Sequence, residues 1–408
     1  MVTKATYAYS IKEDYRDAVQ EIVSKIEKDI GTPDYIFFAL TVEYPVEEVA
    51  NELYNAFGGK VKIHGLTTSL GVGTPDGFIT GPNYKTMGAL AVKSTDITFG
   101  VGGALIADNA KVAGEEAIKN AMRSAGKNGK KPDLIWLTST PPFEEQIIAG
   151  IESVVGKCPI YGGSAADNTV EGKWKVICGK DVYKNGVSLT AIYTKLKMGF
   201  VYMSGYSALK WSGVVTKSKG RVILEIDGNP ARDVYNTWTE RVFEEKLRTG
   251  ESILGPASFY PLARKFTVKG VEHWISVHPS RATPEGGIEV FAEVPEGSRI
   301  WLLKGDEKVL IERPIRLARA CLSAIKEDPK NLAFCLTTYC AGTMFPIKDK
   351  IGESIKEVGK IIGVPFIMPF TFGEQGFISG VGNFHANLMA SLGLISKKKR
   401  KRLGIFPF

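Results

Sequence analysis

One phrase recurs along this chain and restricts its architecture more than any other feature: a short apolar run, a turn residue, then an amphipathic stretch. YIFFALTV at 35–42 leads to Pro45 and such a stretch. PDLIWLTST at 132–140 leads into PPFEEQIIAGIESVVG, and KNLAFCLTT at 330–338 leads, more loosely, into PIKDKIGESIKEVGKIIG. Nearly continuous apolar runs of this length fit strands covered on both faces, and proline suits the first turn of a helix. Repeated strand-to-helix units imply an α/β architecture. The expected fold is two packed halves, each a mixed β-sheet with amphipathic helices on its outer face.

Other stretches fill in this outline. Tyr15, Ala18, Val19, Ile22, Val23, Ile26 and Ile30 follow three- and four-residue steps, predicting a helix over 11–30. TMGALAVKS and ITFGVGGALI read as strands, and WKVICGKDVY and VSLTAIYT flank an Asn-Gly pair, a hairpin signal. The character changes near residue 200, after which short strand candidates alternate with Pro and Gly. The expected division is an N-terminal helix at 1–30, a ligand-sensing domain at 31–215, a second domain at 216–396 and a tail at 397–408. No Ser- or Gly-rich linker separates the halves, so they are expected to pack together.

With 408 residues the chain has room for two or three cores. Five cysteines, an odd number, argue for reduced thiols and a cytoplasmic setting. The net charge of +8 suggests nucleic acid until it is located: KKKRKR at 397–402 supplies six of the eight. The nearly neutral body is not the footprint of a phosphate-neutralising domain. The tail alone is left as a candidate for weak anionic-membrane contact, its closing LGIFPF docking on the body, on a second copy or at a lipid surface. No secretory h-region and no apolar run of membrane-spanning length is visible.

GVGGAL at 100–105 has Leu105 where a dinucleotide fingerprint needs its third glycine, and no Walker-type phosphate cradle exists. IYGGSAADN at 160–168 ends a strand with small residues and then offers Gly163, Ser164, Asp167 and Asn168 to a pocket; a structural turn and a nucleophile are the competing readings. Near the C-terminus Glu374, Gln375, Asn383, His385 and Asn387 fall within fourteen positions of a Gly-rich apolar stretch. Buried polar groups at such density need partners or a ligand. The four histidines, His64, His273, His278 and His385, form no metal-binding spacing, and no CxxC occurs.

In that order, YIFFALT, IYGGSAADN, KNGVSLTAIYT and GRVILEIDGNPARDVY resemble the N-terminal part of FIST domain proteins, and LAFCLTTYCAG, PFIMPFTFGEQG and NFHANLM resemble the FIST C-terminal part. The resemblance implies an intracellular signal-transduction sensor binding a small ligand, amino acids or their derivatives, with Gly163, Ser164, Asp167, Glu374 and Gly376 at or near the site. The chain departs from the pattern where Cys340 is followed by Ala341, Gly342 and Thr343 instead of an arginine. It also carries no output region, so a separate signalling partner is expected.

The expectation is therefore a small-molecule sensor whose ligand sits near the junction of the halves, beside Gly163, Ser164, Asp167, Asn168, Glu374, Gly376, Asn383 and His385, with no required cofactor. Two alternatives stay open: an enzyme, hydrolase or transferase, using Ser164, Asp167, Glu374 and His385, and a haem-based gas sensor with His64 or another histidine as axial ligand.

Overall fold

A computed structural model describes residues 3–400 of the chain. Its first repeat begins with β1 (Thr3–Ser10) and α1 (Tyr15–Ile30), followed by β2 (Tyr35–Leu40), α2 (Val46–Ala56), β3 (Lys62–Thr67), a hairpin of β4 (Val72–Thr74) and β5 (Gly77–Ile79), and β6 (Met87–Ser94). The sequence pattern started the helix at residue 11. It starts at Tyr15 because the Asp14 carboxylate accepts from the N–H groups of Arg16 and Asp17. The strand before it was missed, although TKATYAYS alternates in burial from Ala5 to Ser10.

The second repeat has the same order: β7 (Ile97–Leu105), α3 (Ala110–Ser124), β8 (Leu134–Ser139), α4 (Glu144–Val155), β9 (Ile160–Ser164), a hairpin of β10 (Val176–Cys178) and β11 (Asp181–Tyr183), and β12 (Gly186–Thr194). A third begins with β13 (Leu196–Met203) and is then interrupted by an insert. The insert contains β14 (Ser207–Lys219), β15 (Val222–Ile226), β16 (Asn229–Pro230), α5 (Ala231–Trp238), α6 (Glu244–Thr249) and α7 (Leu254–Ala257). It continues with β17 (Leu262–Val268), β18 (Val271–Val277), β19 (Pro279–Ala282), β20 (Ile288–Val290) and β21 (Arg299–Lys304). The third repeat resumes with α8 (Glu307–Ile325), β22 (Leu332–Cys340), the short α9 (Ala341–Met344), α10 (Ile351–Ile362), β23 (Met368–Thr371), a hairpin of β24 (Glu374–Ile378) and β25 (Gly382–Ala386), and β26 (Ala390–Lys399).

The sheets show that these are three copies of one unit. Their strand orders are β1-β6-β2-β3-β10-β11, β7-β12-β8-β9-β24-β25 and β13-β26-β22-β23-β4-β5. In each, the first four strands come from one repeat, with one parallel pair, β2 with β3, β8 with β9, and β22 with β23. The last two come from a different repeat. The hairpin of the first repeat joins the sheet of the third, that of the third joins the second, and that of the second joins the first.

Burial follows the same threefold plan and explains the continuous apolar runs. In β2, Ile36, Phe38 and Leu40 pack with Ile22, Ile26, Val49 and Leu53 of the covering helices. Tyr35, Phe37 and Ala39 of the same strand face the other way, into a cluster shared with Trp136 of the second repeat and Phe334 and Leu336 of the third. Thus each sheet is helix-covered outside and meets the other two inside. Trp136 is fully buried there, and full burial of a large apolar side chain stabilises by about 1.5–3 kcal/mol. The insert has its own core around Tyr235, Leu262, Val277 and Ile300.

The basic stretch is partly absorbed into this framework. Lys397, Lys398 and Lys399 end β26, Lys398 pairs with Glu327, and Arg400 pairs with Asp133 at 2.6 Å. The rest of the tail, including LGIFPF, lies outside the described residues. Among the described residues no helix is long and apolar enough to cross a membrane.

Candidate functional site

The three third-strands end at equivalent places. Register pairs Leu40 with Thr67, Ser139 with Ser164 and Cys340 with Thr371, so Thr67, Ser164 and Thr371 occupy one position in the three repeats. The chain leaving them closes a ring of main-chain hydrogen bonds. Ala166 N–H donates to Thr67 C=O at 2.9 Å, Ser69 N–H to Phe370 C=O at 3.1 Å, and Phe372 N–H to Ser164 C=O at 3.1 Å. All three hydroxyl side chains are fully buried.

Around Ser164 lies a connected polar cluster. Its Oγ donates to Glu144 Oε1 at 2.6 Å and accepts from Gln375 Nε2 at 3.1 Å. Gln375 Nε2 also lies 3.2 Å from His385 Nδ1, and His385 Nε2 lies 3.2 Å from Phe291 C=O of the insert. Arg221, from the insert, donates through Nη2 to both Glu144 and Glu145, each at 2.6 Å. Burial pushes the Glu144 carboxyl up, but neighbouring His385 and Arg221 and the Ser164 hydroxyl outweigh it and hold the group below its ordinary value. Glu374 has the opposite state. It accepts from Thr371 Oγ1 at 2.6 Å and Met389 N–H at 3.0 Å, yet burial dominates and its carboxyl is pushed up to about 8, so it is protonated at neutral pH.

Each sequence-expected site residue has a defined place. Asp167 accepts from the N–H groups of Thr169, Val170, Glu171 and Lys173, fixing the loop after β9. Asn168 accepts from Leu70 N–H at 2.5 Å and donates to Glu43 at 2.6 Å, stapling the second repeat to the first. Asn383 accepts from Ile160 N–H at 2.9 Å and donates to Glu152 at 2.7 Å and Cys158 C=O at 2.9 Å, binding β25 to the second repeat. Gly163 leaves room for Thr371, and a Cβ on Gly376 would stand 2.2 Å from the Tyr202 ring. Ser164, Glu374 and His385 are all buried near the ring, but no hydrogen bond joins Ser164 to Asp167, Glu374 or His385 among the described residues. Gln375 stands between the serine and the histidine, so the four do not form a nucleophile–base chain.

His64 offers no ligand nitrogen to haem. It is fully buried, its Nδ1 lies 2.8 Å from Thr190 Oγ1 and its Nε2 2.9 Å from Thr138 Oγ1, and burial lowers its pKa to about 3. Among the described residues no group of three His, Cys, Asp or Glu side chains is placed to hold a metal ion. Next to the position where an arginine was expected after Cys340, Arg313 of α8, fully buried, donates to Thr343 Oγ1 and to the carbonyls of Ser204 and Leu388.

In front of the polar cluster is a cavity of about 680 Å³. Its floor is the carboxyl ends of strands: Pro141 and Pro142 follow β8, Val170 and Trp174 follow β9, Cys340 ends β22 with Gly342, Phe345 and Pro346 after it, and Phe372 follows β23. Open α/β sheets bind ligands at this end. The insert supplies the opposite wall, including Arg221, Phe259, His278 and Phe291. His278 lies 2.8 Å from Leu254 C=O through Nε2, and burial lowers its pKa to about 4, so the ring is neutral. The eight expected residues lie outside this wall. Sequence reasoning did not single out Arg221, Trp174 or Phe291, although Arg221 and Trp174 lie in stretches it quoted; of the wall residues it had named His278, Cys340, Gly342 and Asn387.

Comparison with known proteins adds the family. The FIST N domain matches residues 34–229 and the FIST C domain residues 231–377. An uncharacterised protein of Methanocaldococcus jannaschii is 25% identical over 241 residues, which span 55% of this chain and 44% of that protein. Among solved structures, cyanuric acid hydrolase from A. caulinodans aligns over 98% of this chain and 100% of that one at 8% identity and a TM-score of 0.40. PurLQS from Thermotoga maritima aligns over 98% and 72% at 10% identity and a TM-score of 0.22. Neither score establishes a shared fold.

Proposed function

Because the chain belongs to the FIST family, whose domains are associated with sensing in signal transduction, we propose that it is a sensory protein that binds a small metabolite, an amino acid or a related compound, in the cavity between the second repeat, the third repeat and the insert. The observation that carries this reading is the cavity itself. Its volume of about 680 Å³ falls within the range of about 300–1,000 Å³ for small-molecule sites, and it lies at the strand ends under a wall from another layer.

The same arrangement supports a route from ligand to signal. Arg221 touches the cavity and holds Glu144 and Glu145 at the start of α4, while the Phe291 carbonyl holds His385 and Asn387 of the third repeat. A ligand that prefers one position of the insert biases both connections, and the difference in affinity between positions is what a separate cytoplasmic partner protein reads. Among the eight sequence-expected residues, Asp167 then acts from behind the wall, by fixing the loop that carries Val170 and Trp174.

Thermal-shift screening of the full chain against amino acids, their amides and related metabolites tests the proposal, with Gly255→Trp as control. Gly255 lines the cavity and a Cβ there meets nothing within 4 Å, so a large side chain can be introduced at the cavity wall without a clash at its first atom. A compound that raises Tm in the parent and not in the variant supports the reading. A screen in which every shift is the same in both proteins removes it.

A further inference from the structure

The polar groups of the cavity are few and unevenly charged, and they narrow what it takes; the inference rests on the cavity being the ligand site. Arg221 is the one guanidinium on the wall. Its Nη2 is committed to Glu144 and Glu145, whereas Nε and Nη1 make no hydrogen bond among the described residues. Two carboxylates therefore face one cation. His385 Nε2 also lies 3.9 Å from Glu144 Oε2, and Glu293 N–H donates to Glu145 Oε1 at 2.8 Å.

A ligand carboxylate or phosphate at Arg221 would stand beside Glu144 and Glu145 in apolar surroundings that screen poorly. A neutral carbonyl can accept from the free edge of Arg221 without that cost. The second observation is Asn387, on the same wall and 2% exposed. Its Nδ2 has one long contact, 3.4 Å to Phe291 C=O, and its Oδ1 has no partner among the described residues. A buried amide left in this state is costly until it is paired. The open acceptor Oδ1 calls for an N–H donor, which a ligand amide carries beside its own carbonyl. The remaining wall is dominated by Trp174, Phe259, Phe291, Phe345 and Phe372.

We infer that the cavity selects an uncharged, largely apolar ligand with an amide-like group, N–H beside C=O, whose N–H meets Asn387 and whose carbonyl meets Arg221, in preference to any free carboxylate or phosphate. Among derivatives of amino acids this favours amides and lactams over the free acids.

The test uses one scaffold and the full chain. Calorimetric titration compares 3-phenylpropanamide with 3-phenylpropanoate, L-phenylalanine and N,N-dimethyl-3-phenylpropanamide, on the parent, Asn387→Leu and Gly255→Trp. The primary amide is expected to bind about tenfold or more tightly than each of the other three. Asn387→Leu is expected to erase its advantage over the dimethylamide, and Gly255→Trp to abolish its binding. The carboxylate or phenylalanine binding as well as the amide overturns the inference, as does equal binding of all four or no binding of the amide. In any of those cases a metabolite whose Tm shift is lost in Gly255→Trp keeps the cavity as the site, whereas no such metabolite removes the site together with the inference.

Discussion

Gln375 Nε2 donates to Ser164 Oγ at 3.1 Å although 211 positions separate the two residues. The bond lies where the hairpin of the third repeat runs along the edge of the second, Gln375 opposite Gly162 and Glu374 opposite Gly163. Two stretches that stand out in the sequence for their polar residues are thus two sides of one seam. The seam backs the cavity, and its parts differ enough in charge and packing to be tested separately.

Arg221 is the counter-charge of a fully buried carboxylate, so its loss should be felt in stability. Arg221→Met leaves Glu144 ionised and unpaired from the insert, and urea denaturation is expected to show a loss of about 3 kcal/mol. Adding Glu144→Gln removes the stranded charge, so the double variant should be more stable than Arg221→Met alone. A double variant no more stable than Arg221→Met would contradict a stranded charge at Glu144, and the Glu144→Gln single variant completes the cycle that gives the coupling energy.

The two buried glutamates give stability opposite dependence on pH. Glu374 is raised in the folded protein from an ordinary value of 4.5 to about 8, so its contribution is complete below 4.5 and is lost as pH rises through 8. Glu144 is lowered, so its contribution is present above the ordinary carboxylate value and is lost as pH falls through the lowered one. Glu374→Gln should therefore flatten the decline in unfolding free energy between pH 4.5 and 8, and Glu144→Gln should alter only the acid limb. Denaturant titrations across pH read both; an unchanged slope in Glu374→Gln would contradict a neutral Glu374.

Asp167 organises the cavity floor from a distance. Four N–H groups of the loop that carries Val170 and Trp174 converge on its carboxylate. Asp167→Ala is expected to speed hydrogen exchange over residues 169–174 and to weaken ligand binding, with exchange elsewhere little changed. Exchange in that loop at the parent rate would mean that other contacts hold it.

Gly163 and Gly376 serve contact between backbones and neighbouring side chains. Alanine at either position meets Thr371 or the Tyr202 ring well inside contact distance, at an expected cost of about 1–3 kcal/mol. The ligand-induced shift in Tm should keep its size in both variants. A selective loss of that shift with unaltered stability would instead place the glycine against the ligand.

The three strand-to-helix units could be read from sequence because each strand, buried on both faces, writes its burial into consecutive residues, as YIFFAL does. β1 escaped because its alternation is carried by Thr, Ala and Tyr, whose apolar character is weak. The crossing hairpins were not legible: the pairing of β24 with β9 joins segments far apart, and nothing local in FGEQG names IYGGS as its neighbour. For the site, the polar density around Ser164 and His385 coincides with the seam, where buried polar groups find partners in one another. The wall in front of it is apolar and belongs to three segments, so Trp174, Phe291 and Phe345 look like any other core residue until the chain is folded.

The circulating hairpins also bear on how such a chain could arise. A protein consisting of one repeat would leave its third-strand edge bare and its hairpin without a sheet, and both needs are met at once if three identical copies close into a cyclic homotrimer. Tandem fusion turns those contacts between subunits into contacts within one polypeptide and frees the copies to diverge. Only then can a single copy accept an insertion between β13 and α8 without two more appearing by symmetry, and one chamber form against it alone.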